Sequence, residues 1–426
     1  MADQRVVITG IGCVSPLGET AEDTWQAILA GVCGFRLIEK FKDFPSAVFA
    51  LAATSDPEKL MPEVDPQFAR RLTLPMVLFF SAVREAYAQA RIKDSHFKRP
   101  IGIIAGTTAN YPVELEPEDL LHYYRFSHGS QMNWPEYLAA TDYAPDHAWQ
   151  HITNFLTCFP AMHYGFTGYN RTIHAACACG SHTVGEAYRL IKHGYADIIF
   201  AGAAEAFVNV GGVSALSILG VLSKQHDPQF ACRPFDVDRD GIVLGEGAAV
   251  LTLESLESAQ GRGVPILAEI VGFGMSSNAF RVSDSPLGGE QPAHAIRNCL
   301  QDAGVQPEQI DAISAHATST KQNDVAETHA LKLALGACAT HIPTFALKSA
   351  LGHSLSASGA LELAMCVYAL QTNTLPPIRS YRTPDRECDL SIVKELHQVP
   401  SMQYLLKNAF GFGGQNGSIL LKKWSA

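Results

Sequence analysis

The chain has 426 residues, too many for one ordinary hydrophobic core, so two domains or a duplicated unit are expected. Hydrophobic residues make up 47% and charged residues 17%, the profile of a well-buried globular protein. The net charge is −10 and no basic block stands out, which argues against a nucleic-acid binder; an acidic partner would need a local basic patch.

The N-terminus reaches Gly10 too soon for a signal peptide, and no apolar run approaches the roughly 18 residues that span a membrane. A soluble, cytoplasmic chain is expected. The ten cysteines are scattered, with no CxxC pair and no zinc-like His/Cys spacing. That pattern predicts free thiols in a reducing compartment and no metal.

Taken in order, Val7–Ser15 reads as a strand, Leu74–Ala90 as a helix and Ile103–Thr108 as a second strand ending in a turn. The strands are continuous apolar runs, which suits sheets covered on both faces. A segment from Tyr111 to Phe159 is rich in Tyr, Trp, His, Pro and acids, and reads as an insertion.

Thr172–His182 follows. A β-leaning run stops at Cys177, and a helix runs on through Val184, Ala187, Leu190 and Ile191 to Lys192-His193-Gly194. A cysteine at a helix N-terminus meets free N–H groups and the positive end of the dipole, and both favour thiolate, the nucleophilic form. Its plainer use is as a small buried hydrophobe.

Four segments of the first half echo the second in the same order. Val7–Ser15 resembles Ile270–Ser277, and Ile103–Thr108 resembles Ile313–Thr318. Ala178–His182 with its helix resembles Ala350–Ser354 and Leu361–Leu370, and Gly245–Leu253 resembles Gly413–Leu421. A duplicated α/β unit follows, with halves 1–262 and 263–426 meeting near Gly261–Pro265.

In the second half, polar residues sit where strands end. His316 follows Ile310–Ala315 and precedes Thr318-Ser319-Thr320. Lys348 follows an apolar run, with His353 five residues on. Asn408–Gly414 is a Gly-rich turn carrying Phe410 and Phe412. Ligand sites gather at the carboxyl ends of strands in α/β sheets. Singly, each residue also has a structural use.

With Ala176-Cys177-Ala178, His316 with Thr318-Ser319-Thr320, Lys348 with Gly352-His353, Arg233–Asp236 with Arg239–Gly241, and Asn408–Gly414 in hand, the whole chain resembles the β-ketoacyl-ACP synthases of the elongating type, in the thiolase-like condensing superfamily. The resemblance implies a five-layer αβαβα sandwich of two βα halves. It implies decarboxylative Claisen condensation of malonyl-ACP with an acyl group held on Cys177. His316 and His353 would stabilise the enolate, and Lys348 would be a fixed charge paired with Glu327, with Asp324 in the same network. The N–H groups of Cys177 and Phe412 would form the oxyanion hole, Phe412 would gate the site, and Thr318 and Thr320 would bind phosphopantetheine. It implies no cofactor, acyl carrier protein as partner, and a homodimer, with a heterodimer possible.

Four departures bear on this. His316-Ala317-Thr318 stands where the family has His-Gly-Thr. Cys179 replaces the usual Ser or Thr, and is expected to pack. The 111–159 segment looks longer and more aromatic than usual, which leaves a ketosynthase of a type II polyketide or polyene pathway open, and more remotely a non-catalytic subunit of a ketosynthase heterodimer. The expected basic residue before Leu222-Ser223 is missing, so Arg70, Arg71 and Lys224 become the candidates for carrier docking.

Overall fold

The computed structural model describes residues 3–69, 71–92, 97, 99–108, 127–128, 131–133, 135–136 and 152–425. Arg70 and most of the 111–159 segment lie outside them. The main sheet has ten strands. From the first half come β1 (Val6–Val14), β2 (Gly102–Gly106), β3 (Asn170–Ile173), β4 (Ile198–Ala206) and β5 (Glu246–Ser255). The second supplies β6 (Ala268–Ser277), β7 (Ala312–Ser314), β8 (Thr344–Phe345), β9 (Tyr404–Gly411) and β10 (Gln415–Lys423). β1 and β5 are buried along their whole length, as strands covered on both faces are.

The strand order is β3-β2-β4-β5-β1-β6-β10-β9-β7-β8. Each half is mixed, two antiparallel pairings followed by two parallel ones. β1 and β6 join the halves antiparallel through Val6–Ile8 and Ala268–Ile270. Even the irregularities repeat: the register slips between Ile8 and Gly10 on β1 and between Ile270 and Gly272 on β6.

Five helices matter: α1 (Leu74–Gln89), α2 (Cys179–Lys192), α3 (Glu290–Ala303), α4 (Lys321–Leu335) and α5 (Ser358–Thr372). α1 covers β1 and β5 from outside, and α3 does the same for β6 and β10. α2 and α5 pack together between the two sets of strands, giving the five-layer αβαβα sandwich of the thiolase-like fold. They cross at their N-termini, glycine on glycine. A Cβ on Gly180 would lie 2.3 Å from the Ala360 nitrogen, and one on Gly359 would lie 2.7 Å from the Ser181 nitrogen.

That crossing corrects one register of the repeat. The counterpart of Ala176-Cys177-Ala178 is Leu355-Ser356-Ala357, since both are single 3₁₀ turns leading into the central helices, whereas Ala350–Ser354 lies upstream. Ala176 and Leu355 both have positive φ, 44° and 40°. All ten cysteines are free thiols. Among the described residues no helix is long and apolar enough to cross a membrane, and none of the His, Cys, Asp and Glu side chains form a group able to hold a metal ion.

Candidate active site

Cys177 sits at the apex of the β3-to-α2 turn, in a left-handed kink at Ala176 that a non-glycine residue adopts only under strain. Cys179, one helical step on, is buried, and its Sγ accepts the N–H of Ala175 at 2.8 Å. It therefore packs, as expected, and also ties down the elbow. Gly411 at the end of β9 comes against the same turn. A Cβ there would meet the Ala175 oxygen at 2.7 Å and the Cys177 nitrogen at 3.1 Å, so only glycine lets β9 approach.

A cavity of about 350 Å³ opens over the sulfur. Cys177, His316, His353, Thr318, Thr320 and Phe412 all line it. The two imidazoles stand edge to face with ring centres 5.6 Å apart, and Phe410 packs against His316 at 5.7 Å. The Phe412 N–H lies near the Cys177 sulfur and favours its ionised form. Thr318 and Thr320 hydroxyls are 2.9 Å apart, and Thr320 also caps α4.

The thiol corrects the thiolate expectation. Burial pushes Cys177 up to about 11, more than the Lys348 charge and the Phe412 N–H pull it down. Desolvation is the largest cause, so the resting group is SH. Both imidazoles go the opposite way. Burial, then Lys348, holds His316 and His353 well below the usual range, so both are neutral.

Lys348 lies behind the cavity wall, fully buried. Its Nζ is 3.3 Å from His316 Nδ1 and, having only donors, makes Nδ1 the acceptor and puts the ring proton on Nε2. His353 Nδ1 is 2.9 Å from the Ser358 hydroxyl, which can donate to it with the same result.

Two expected partnerships are overturned. Lys348 pairs with Glu362, at 2.5 Å, and not with Glu327. Glu327 instead accepts the N–H groups of His316 and Ala317 at 2.8 and 2.7 Å, which fixes the His316 loop from below. Asp324 belongs to another cluster: it accepts the Phe235 N–H at 2.9 Å and pairs with Arg239 at 3.5 Å. Arg239 also holds Asp385 at 2.6 Å, while Asp240 takes Ser223 and Lys224, so Arg239 and Asp240 are not each other's partners. The reason is directional. Glu327 lies one helical turn beyond Asp324 on α4, and that face meets the His316 loop backbone rather than the lysine.

Sequence reasoning missed Glu362, Lys407 and Ser358. The first two carried a readable signal, a charge inside an apolar helix or strand, the same signal that singled out Lys348. Ala317 has φ of 38°, the left-handed region, which explains why glycine suits that position and costs the alanine about 1 kcal/mol. On the docking candidates, Arg71 and Lys224 are exposed.

The Beta-ketoacyl synthase, N-terminal domain family matches residues 3–259, and the Beta-ketoacyl synthase, C-terminal domain family matches residues 267–382. The chain is 34% identical to a 3-oxoacyl-[acyl-carrier-protein] synthase 2 of Coxiella burnetii, over 99% of both chains. It is 35% identical to the Vibrio cholerae protein of the same name, over 99% of this chain and 100% of that one. In structure it is similar to a type II PKS ketosynthase solved with its acyl-carrier protein and bound to the hexaketide, with a TM-score of 0.87, 29% identity and coverage of 99% of this chain and 100% of that one. It is also similar to the ishigamide ketosynthase/chain length factor, with a TM-score of 0.86, 30% identity and full coverage of both.

Proposed function

The chain belongs to the beta-ketoacyl synthase family of condensing acyltransferases, and from that premise we propose that it condenses malonyl-ACP with an acyl group carried on Cys177, releasing CO2 and β-ketoacyl-ACP in fatty acid elongation. The observation that carries this reading is the meeting of one thiol, two neutral imidazoles and a backbone N–H on a single cavity. The site roles are proposed residue by residue.

In the first half-reaction Cys177 sulfur attacks the thioester carbonyl of acyl-ACP. The tetrahedral oxyanion is held by the N–H groups of Cys177 and Phe412, each such donor worth about 2.7–4 kcal/mol. The carbon–sulfur bond to the carrier breaks, and the carrier thiolate takes up the proton that Cys177 gave. Malonyl-ACP then enters, its arm against Thr318 and Thr320. Its carbon–carbon bond to the carboxylate breaks, CO2 leaves, and the electron pair moves onto the thioester oxygen as an enolate. The Nε2–H groups of His316 and His353 donate to that oxygen. The enolate carbon attacks the acyl-Cys177 carbonyl, the C–S bond breaks, and the freed thiolate is reprotonated from solvent. No step calls on a cofactor beyond the carrier's phosphopantetheine.

Neutral imidazoles suit the second half. An imidazolium would protonate the enolate, whereas a neutral Nε2–H donates and keeps its proton. Phe412 is the gate, with Gly413 and Gly414 at φ of 76° and 80° supplying the backbone freedom for it to swing. The chain divides at 262/263 into a half carrying the nucleophile and a half carrying the histidines. It acts in the cytoplasm with an acyl carrier protein, as a homodimer or in a heterodimer.

Mass spectrometry after incubation with acyl-ACPs of graded length tests this. A stable acyl adduct on Cys177, consumed on adding malonyl-ACP, is the expected result; no adduct at any length defeats it. A second reading, a ketosynthase of a type II polyketide or polyene pathway, draws on the two ketosynthase neighbours above. Preference for polyketide or polyene over saturated acyl chains in the same assay selects it.

A further inference from the structure

Lys407 has no role in the reaction as written above, yet it lies fully buried on β9 inside the run Tyr404–Phe410. A buried ammonium is costly to desolvate unless it is paired. Its Nζ is 2.6 Å from Glu362 Oε2, and it also donates to the Asn408 carbonyl. Glu362 thus carries two ammonium groups, Lys348 hydrogen-bonded to Oε1 at 2.5 Å and Lys407 as an ion pair against Oε2 at 2.6 Å, without the alignment of a hydrogen bond. Lys348 in turn lies 3.3 Å from His316 Nδ1.

The arrangement has a directional consequence. A carboxylate with one cation draws it toward both oxygens. With Oε2 held by a second cation, Lys348 stays on Oε1, and one of its three N–H groups has His316 Nδ1 to meet. We infer that Lys407 is a positioning residue: by occupying Glu362 Oε2 it keeps Lys348 shared between Glu362 Oε1 and His316 Nδ1, so that His316 presents Nε2–H to the reacting thioester.

The charged and titratable groups around His316 are Lys348 from the turn after β8, Lys407 from β9, Glu362 from α5, Glu327 from α4 against its backbone, and His353 and Cys177 across the cavity. Lys407 itself faces Glu362 and Cys366 on α5, together with Lys348 and Glu327. Burial lowers the lysine's own affinity for a proton, and Glu362 opposes that. Its positive charge also helps hold both imidazoles neutral. Removing it raises the histidine pKa values, so the acid limb of any step that needs neutral imidazole moves to higher pH.

This inference rests on the proposed role of His316 in decarboxylation, and the test separates the two. In full-length Lys407→Met, acyl transfer is read by mass on Cys177, and CO2 release from malonyl-ACP is read from pH 5 to 9. Acyl transfer at the wild-type rate, CO2 release lowered about 10- to 100-fold and an acid limb shifted upward are expected. An unshifted limb, or equal loss in both steps, overturns the inference. If Lys407→Met fails to fold, Lys407→Gln keeps a donor on Glu362 without the charge; a folded Lys407→Gln with the wild-type limb overturns it equally. Wild-type chain that gains no adduct and releases no CO2 overturns both the inference and the functional reading beneath it.

Discussion

Cys177 and Ser356 stand at matching places in the two halves, each at the apex of a turn whose preceding residue has positive φ and each just ahead of a central helix. Their surroundings differ. Cys177 faces the cavity and the two imidazoles. Ser356 is sealed, its hydroxyl donating to Glu205 Oε2 at 2.7 Å. The registers show how. Gly247 on β5 pairs with Glu205 of β4, and its counterpart Gln415 on β10 pairs with Gly411 of β9. The position that carries a carboxylate over Ser356 is thus a glycine beside Cys177. Backbone geometry alone makes an elbow; the residue at the end of the neighbouring strand decides whether it opens on a cavity or is filled.

The most direct way to break this comparison is to give the open elbow the closed one's hydroxyl. Cys177→Ser should lower condensation by about 10³-fold or more, measured as β-ketoacyl-ACP formed, because a serine here has no base to activate it. Next comes Gly411→Ala. Its methyl would press on the Ala175 oxygen and displace the elbow, and a loss of about 10²-fold in acylation rate is expected at an unchanged fold. Wild-type acylation in that variant would mean that close approach of β9 is not needed.

The sealed elbow should respond in stability rather than rate. Ser356→Ala deprives buried Glu205 of its hydroxyl partner and should cost about 1–3 kcal/mol in denaturant unfolding, with acylation of Cys177 kept. Glu205 also predicts a pH dependence. Burial raises its pKa from 4.5 to about 7, so the folded state holds a proton that the unfolded state has released. That penalty is absent below pH 4.5 and grows as pH rises to about 7, above which it is constant. Glu205→Gln should therefore gain stability relative to wild type over that window, and a flat difference would refute it. The smallest effect is Ala317→Gly, which relieves a left-handed alanine and should add up to about 1 kcal/mol to the stability measured by unfolding.

Much of the molecule was legible in its residues. Four matched segments in the same order disclosed the duplication, and three of them fall on equivalent strands. The fourth slipped because it rested on Gly-His and helical pattern, while the true equivalence lies in a positive-φ turn whose residues, Ala176 and Leu355, look like nothing special. Cys177 and His316 were readable because each follows the end of a strand, and His353 because it stands five residues beyond Lys348. Who pairs with Lys348 was not, since Glu362 and Glu327 are both buried acids on helices near it, and only three-dimensional direction tells them apart. The ionisation of Cys177 was misjudged for a related reason. A helix N-terminus is visible in a sequence, whereas the depth at which it is buried is not.

The glycine-on-glycine contact of α2 and α5 sets how the site can open. Backbone touches backbone there, with no side chain to act as a bearing, so the halves that supply the sulfur and the histidines cannot slide or pivot past each other at that joint. In the proposed reaction, admission of a long acyl chain would then fall to the short Phe412–Gly414 turn rather than to movement of one half against the other.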